Sequence, residues 1–204
     1  MIFKGVCARS ACLFVARRGG NGKDSRSMEK EMNYIDVCNQ LNIEPNIDSI
    51  GTSGEDIAKT IFGYLSIFRV VFLGERYPIV DFYVEIANDK ECPYSFLVQV
   101  KTTTSELDER GRLLVEVPYE KYKALCHRPI PTYVGGVNLN NHTLFVRPAF
   151  CETEHISFIE PKMVLGLHDI LDCGSKLLTI KRDVINYWEN LKAGEYKKAY
   201  RSII

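Results

Sequence analysis

Pro78-Ile79-Val80-Asp81-Phe82-Tyr83-Val84-Glu85-Ile86, followed closely by Phe96-Leu97-Val98-Gln99-Val100-Lys101, is the stretch on which the fold turns. Both segments are rich in β-branched and aromatic residues, and the polar residues between them read as a short connection, which predicts a hairpin. Alternate side chains of a strand share a face. Asp81, Tyr83 and Glu85 therefore lie opposite Val80, Phe82, Val84 and Ile86, and Leu97, Gln99 and Lys101 lie opposite Phe96, Val98 and Val100. A hairpin that stacks the two polar sides brings two carboxylates, an amide and a lysine together. Those groups suit the holding of a divalent cation against a phosphodiester.

Outward from the hairpin the pattern alternates helix and strand. Glu29 to Leu41 has moderate helical periodicity, and Asn42 to Ser49, with Pro45, reads as a loop. A stronger helix is expected after Ser53-Gly54, with Ser53 as N-cap and Ile57, Ala58, Ile61, Phe62 and Leu65 on its apolar face. Residues 70–73 form a short strand and Gly74 to Pro78 a turn. Beyond the hairpin, Leu113 to Val117 is a third strand and Pro118 to Cys126 a short helix. Thr132 to Val137 and Thr143 to Arg147 are two further strands around the turn-rich 138–142 segment. Residues 161–171 suggest a helix, Leu177 to Ile180 a strand and Arg182 to Leu191 a last helix. This order predicts an α/β fold, a mixed central sheet flanked by helices with extra C-terminal helices.

The 204 residues, 46% hydrophobic and 25% charged, suit one soluble domain with a proper core. Zero net charge gives no bulk argument for nucleic acid or membrane, and no run reaches the roughly 18 apolar residues of a membrane span. The charge is uneven. Met1 to Ser27 carries six basic residues against Asp24, a local +5, and contains the glycine-rich Gly19-Gly20-Asn21-Gly22. Residues 1–27 are expected to be a disordered basic extension, or an arm gripping nucleic acid, and Met28 is a natural alternative start. Residues 28–204 are then the domain, with a core over 50–147 and a helical extension over 148–204.

Seven scattered cysteines, odd in number and without a CxxC pair, read as reduced thiols of a cytoplasmic protein. Cys151 and His155 are the nearest approach to a zinc pair and carry little weight. Cys126 beside His127 is a poor nucleophile–base pair, because adjacent helical residues diverge by about 100°.

Each polar residue has a plain alternative. Asp81, Gln99 and Lys101 could be a solvated strand face. Glu55 could be an acid in a first helical turn, complementing the dipole, with Asp56 the better dipole residue. Glu85, two pleats from Asp81 and roughly 13 Å away, is expected to be a salt-bridged or solvated side chain. Thr102 and Thr103 are strand residues or phosphate donors.

Together these residues resemble a known family. A helix-borne Glu, then an Asp, then a (D/E/Q)xK tripeptide on the next strand is similar to the core of the PD-(D/E)XK nuclease superfamily. Asp81-x-x-x-Glu85 followed by Phe96-Leu97-Val98-Gln99-Val100-Lys101-Thr102-Thr103 looks most like an uncharacterised bacterial family within it, classed as a domain of unknown function. Mrr-type restriction endonucleases are more distant comparisons that also tolerate Gln at the middle position. The resemblance covers roughly Ser49 to Val146. It implies a restriction-endonuclease-like fold and a nuclease acting on DNA in defence or repair. It further implies Mg2+ or Mn2+ held by Asp81, Gln99, Glu55 and the Val100 carbonyl, with Lys101 acting on the attacking water. Gln99 in place of an acid removes one negative charge, which also admits an inactive binding or interaction module on the same fold. A single-site enzyme that cuts both strands commonly pairs. Val164, Leu165, Leu167, Ile170 and Leu171 either line such a homodimer interface or cover the sheet.

Overall fold

The computed structural model describes residues 33–44, 46–74, 77, 79–87, 94–149, 156–160 and 163–195. The basic extension, its boundary, Cys151 and His155 lie outside these residues. Helix α1 (Tyr34–Gln40) opens on a capping box: the Asn33 side chain accepts from Asp36 N, and Asp36 accepts from Asn33 N. Helix α2 (Ile47–Gly63) follows. It precedes the antiparallel strands β1 (Phe68–Phe72), β2 (Phe82–Ile86) and β3 (Ser95–Thr103). Next come β4 (Leu113–Val117), α3 (Tyr119–Cys126), β5 (Thr132–Asn138) and β6 (Thr143–Pro148). The described residues close with β7 (Ile156–Ile159), β8 (Val164–Gly166) and α4 (Ile170–Lys192).

The main sheet has the order β1-β2-β3-β5-β6-β8, with β5 parallel to β3 and the other neighbours antiparallel. The predicted mixed α/β sheet and its hairpin are therefore present, with Phe82 opposite Val98 and Val84 opposite Phe96. The pleat divides the core. Phe82, Val84, Phe96, Val98 and Val100 pack under α2 and α4, on Ala58, Ile61, Phe62, Cys173, Leu177 and Val184. On the other face Leu97, Val134 and Phe145 meet Leu113, Val115, Ile159, Tyr122 and Leu125 from β4, β7 and α3. This second layer approaches closely because position 136 is glycine: a Cβ there would lie 2.7 Å from both Leu113 Cδ2 and Val115 Cγ2.

Several sequence expectations are corrected. Helix α2 starts at Ile47, capped by the Asn46 side chain on Asp48 N, so Ser53 is interior and caps nothing. The segment expected as a loop thus supplies the first helical turn, because a good cap at Asn46 outweighs the apolar pattern's later onset. Leu65, placed on the apolar face, lies past the helix end with a φ of 61° and is exposed. Strand β4 is not in the main sheet but pairs with β7. Residues 164–166, expected within a helix, are the edge strand β8. Residues 177–180 are not a strand but part of the single 23-residue helix α4. Its buried stripe Cys173, Leu177, Ile180, Val184, Tyr187 follows helical spacing. Among the described residues the C-terminal third contributes one long helix and two strands, and the buried stripe of α4 packs on the sheet. Leu165 is fully buried there, while Leu167, Ile170 and Leu171 are exposed.

Candidate active site

Asp81 stands immediately ahead of β2 and is anchored through its backbone on both sides. Its N–H donates to Val98 O at 2.9 Å, and its carbonyl accepts from Leu73 N at 2.8 Å. This places its side chain beside Gln99 on the same face of the hairpin. Gln99 Nε2 donates to Asp81 Oδ2 at 2.7 Å, and the Val100 N–H donates to the same oxygen at 2.5 Å. Gln99 is itself buried, at 6% exposure, so it is not part of a solvated strand face. Lys101, half-buried, follows on that face at the C-terminal part of β3.

Glu55 arrives from α2. It lies in the third turn of that helix, since the helix begins at Ile47, so neither it nor Asp56 is a first-turn dipole residue; Asp48 is. Gly54 seats α2 on β3. A Cβ at Gly54 would fall 2.6 Å from Thr102 Cγ2, so only glycine permits this approach. Thr102 is one residue past Lys101, and the crossing brings Glu55 within electrostatic reach of Asp81.

The charges are strained in a consistent sense. Burial raises the Glu55 carboxyl above the usual glutamate range, and the negative charges of Asp81 and Asp56 add to this. Burial likewise raises Asp81, opposed by the Val100 N–H bond and by the positive charges of Lys101 and Lys121. Lys121 was not singled out from the sequence. It is an exposed residue in the first turn of α3, where the helix dipole disfavours a cation. That misplacement is the signal by which it could have been found.

Other predicted residues are placed elsewhere. Glu85 is paired across the sheet with Arg69, at 3.7 Å, as its expected salt-bridged reading requires. Thr102 packs on α2, and Thr103 Oγ1 accepts from Ser105 N at 3.0 Å, so both act as structural residues here. Cys38, Cys126 and Cys173 are buried thiols. The ring of His127 is 2.7 Å from Lys123 O on its own helix. A separate cleft of about 500 Å³ is lined by Asp56, Thr60, Asn141, His142 and His168 with Ile57, Ile61 and Leu167.

Among the described residues no group of three or more His, Cys, Asp and Glu side chains is placed to hold a metal ion. A cation at this site would rest on the oxygens of Asp81, Glu55 and Gln99 and on the Val100 carbonyl. That set is all oxygen, and Mg2+, which keeps several waters, needs only one or two carboxylates. The half-buried Glu55 carboxyl, raised by burial and by the nearby Asp81 charge, also suits a positive occupant. The donor set therefore fits a hard divalent cation once the Gln99 amide presents its oxygen, and it does not suit zinc. Among the described residues no helix is long and apolar enough to cross a membrane. No protein-family model, curated protein or solved structure matches the chain.

Proposed function

We propose that this protein is a metal-dependent nuclease of the PD-(D/E)XK superfamily, with a restriction-endonuclease-like fold, hydrolysing phosphodiester bonds in DNA. The observation that carries the reading is the convergence of Asp81, Gln99 and Lys101 on one hairpin face with Glu55 delivered by α2. A mixed sheet flanked by helices, with the helix-borne Glu preceding the Asp and QxK strands, supports it.

Each residue has a role that follows from its chemistry. Asp81, Glu55, the Val100 carbonyl and the Gln99 carbonyl oxygen would hold Mg2+ or Mn2+. That ion, when bound, supplies neutralisation of the phosphate oxygens and a more acidic water. Lys101 orients the attacking water and meets the negative charge that develops on phosphorus. Lys121 approaches from α3 and adds a second positive charge for the substrate's phosphate. A homodimer would present two such sites to a duplex, and a cytoplasmic setting in defence or repair accords with that activity.

One observation favours a second reading. The Gln99 amide turns its N–H groups toward Asp81 and Val100, which satisfies the site internally. That suits a nucleic-acid-binding or protein-interaction module without catalysis. Cleavage assays on linear and supercoiled DNA, with and without Mn2+, separate the two. Metal-dependent cutting should fall by roughly 10²-fold or more in Asp81→Ala and in Lys101→Ala, with circular dichroism unchanged. Cutting retained in either variant sinks the mechanism. No cutting of any substrate by folded wild-type protein leaves the module.

A further inference from the structure

Gln99 is a buried amide between two acceptors. Its Nε2 lies 2.7 Å from Asp81 Oδ2 and 3.2 Å from Val100 O. Val100 O is a carbonyl acceptor, and Asp81 Oδ2 already accepts from the Val100 N–H, so the network fixes the amide with nitrogen, not oxygen, between them. Asp81 Oδ2 and Val100 O are also two of the oxygens named above for the cation. A divalent ion would need them at about 2.0–2.1 Å for Mg2+. The amide nitrogen, with its partial positive charge, stands in that ion's place. Amide and ion cannot hold the same two oxygens at once.

We infer that Gln99 is a cation gate: its amide closes the divalent-ion position in the free protein, and an ion enters only by turning that amide over. The inference rests on the nuclease reading only for the location of the ion. Turning the amide breaks two hydrogen bonds and offers Oε1 as a ligand in exchange. The position is thereby kept ordered without metal, since Asp81 is held by Gln99 Nε2 and by the Val100 N–H. Affinity for the ion is lowered by the cost of the two bonds. A carboxylate at this position would carry no N–H to donate and would add a charge.

Two measurements test the gate. In wild-type protein the Gln99 side-chain amide protons, followed by NMR, should exchange slowly and should move on titration with Mg2+. In parallel, calorimetric titration with Mg2+ and Mn2+ should show Gln99→Glu binding at least about tenfold more tightly than wild type, ligand charge being what tunes such sites. If Gln99→Glu fails to fold, the wild-type NMR measurement still decides. Freely exchanging amide protons overturn the gate, as does a folded Gln99→Glu that binds no more tightly than wild type. Protected amide protons, a binding Gln99→Glu and a wild type that takes no ion mean the gate stays shut. That outcome keeps the closed amide, overturns ion entry by its turning and removes the nuclease reading.

Discussion

Gly54 and Thr102 meet where α2 crosses β3, so closely that a methyl group on Gly54 would lie 2.6 Å from Thr102 Cγ2. The contact fixes how near Glu55 comes to the hairpin. Thr102 is short and β-branched and has little room to yield. Gly54→Ala should therefore destabilise by about 1–3 kcal/mol, the cost of overpacking, measured by urea unfolding. In a Thr102→Ala background the cost should shrink without vanishing, because the Thr102 Cβ itself would lie 2.8 Å away. Equal costs in both backgrounds would disprove the contact.

Glu55 carries a pH signature. Its carboxyl is raised by burial and by the Asp81 and Asp56 charges. The folded state therefore holds its proton to higher pH than the unfolded chain does, and the ionised group costs stability at neutral pH. That cost is full above the raised folded value, shrinks as pH falls through it and disappears below the ordinary glutamate range. Glu55→Gln should accordingly be more stable than wild type at pH 7, by about 0.5 kcal/mol after discounting for solvent screening. The gap should close in acid. A gap independent of pH would mean that the Glu55 charge is not strained.

Lys121 tests the reach of the site beyond the hairpin. It is exposed, so Lys121→Ala should leave stability within about 0.5 kcal/mol. Its charge pulls on Asp81. Loss of that charge should weaken DNA binding and reduce the salt slope of the affinity by about one. An unchanged slope would place Lys121 outside the substrate path.

Glu85 should be separable from the chemistry. Its partner Arg69 has 75% side-chain exposure, and the pair is 3.7 Å apart. Glu85→Ala should cost no more than about 1 kcal/mol, as exposed ion pairs do, and leave metal-dependent cleavage at the wild-type rate. A tenfold or greater loss of cleavage would return Glu85 to the site.

Tyr133 lies in the core under α2 and α4, 3% exposed, and its hydroxyl has no protein hydrogen-bond partner. Burial pushes that hydroxyl far above its ordinary pKa. A buried donor left unpaired costs free energy that the apolar isostere avoids. Tyr133→Phe should raise stability by about 1 kcal/mol; a comparable loss would show that the hydroxyl is satisfied.

Alternation in the sequence was enough to place the hairpin and the shared side of Phe82, Val84, Ile86, Phe96, Val98 and Val100, but Val80, expected with them, packs in the other layer with Leu97, because it precedes β2 and does not follow its pleat. Alternation in 82–86 and 96–101 sets these faces, because a slip of one residue would exchange Phe82, Val84, Phe96 and Val98 with the side chains that pack against the other layer. Short or locally ambiguous segments were not legible. Leu177-Leu178-Thr179-Ile180 reads as a strand in isolation, and only the longer stripe from Cys173 to Tyr187, laid on the sheet, makes it helix. Strand β8, three residues long, exists because β6 offers it an edge. The tertiary structure alone decided the distances of the site. Periodicity orients a side chain about its own element but says nothing of how closely two elements approach. Gly54 on Thr102 sets the approach of Glu55, packing of α3 sets that of Lys121, and two oxygens facing one another turn the Gln99 amide inward.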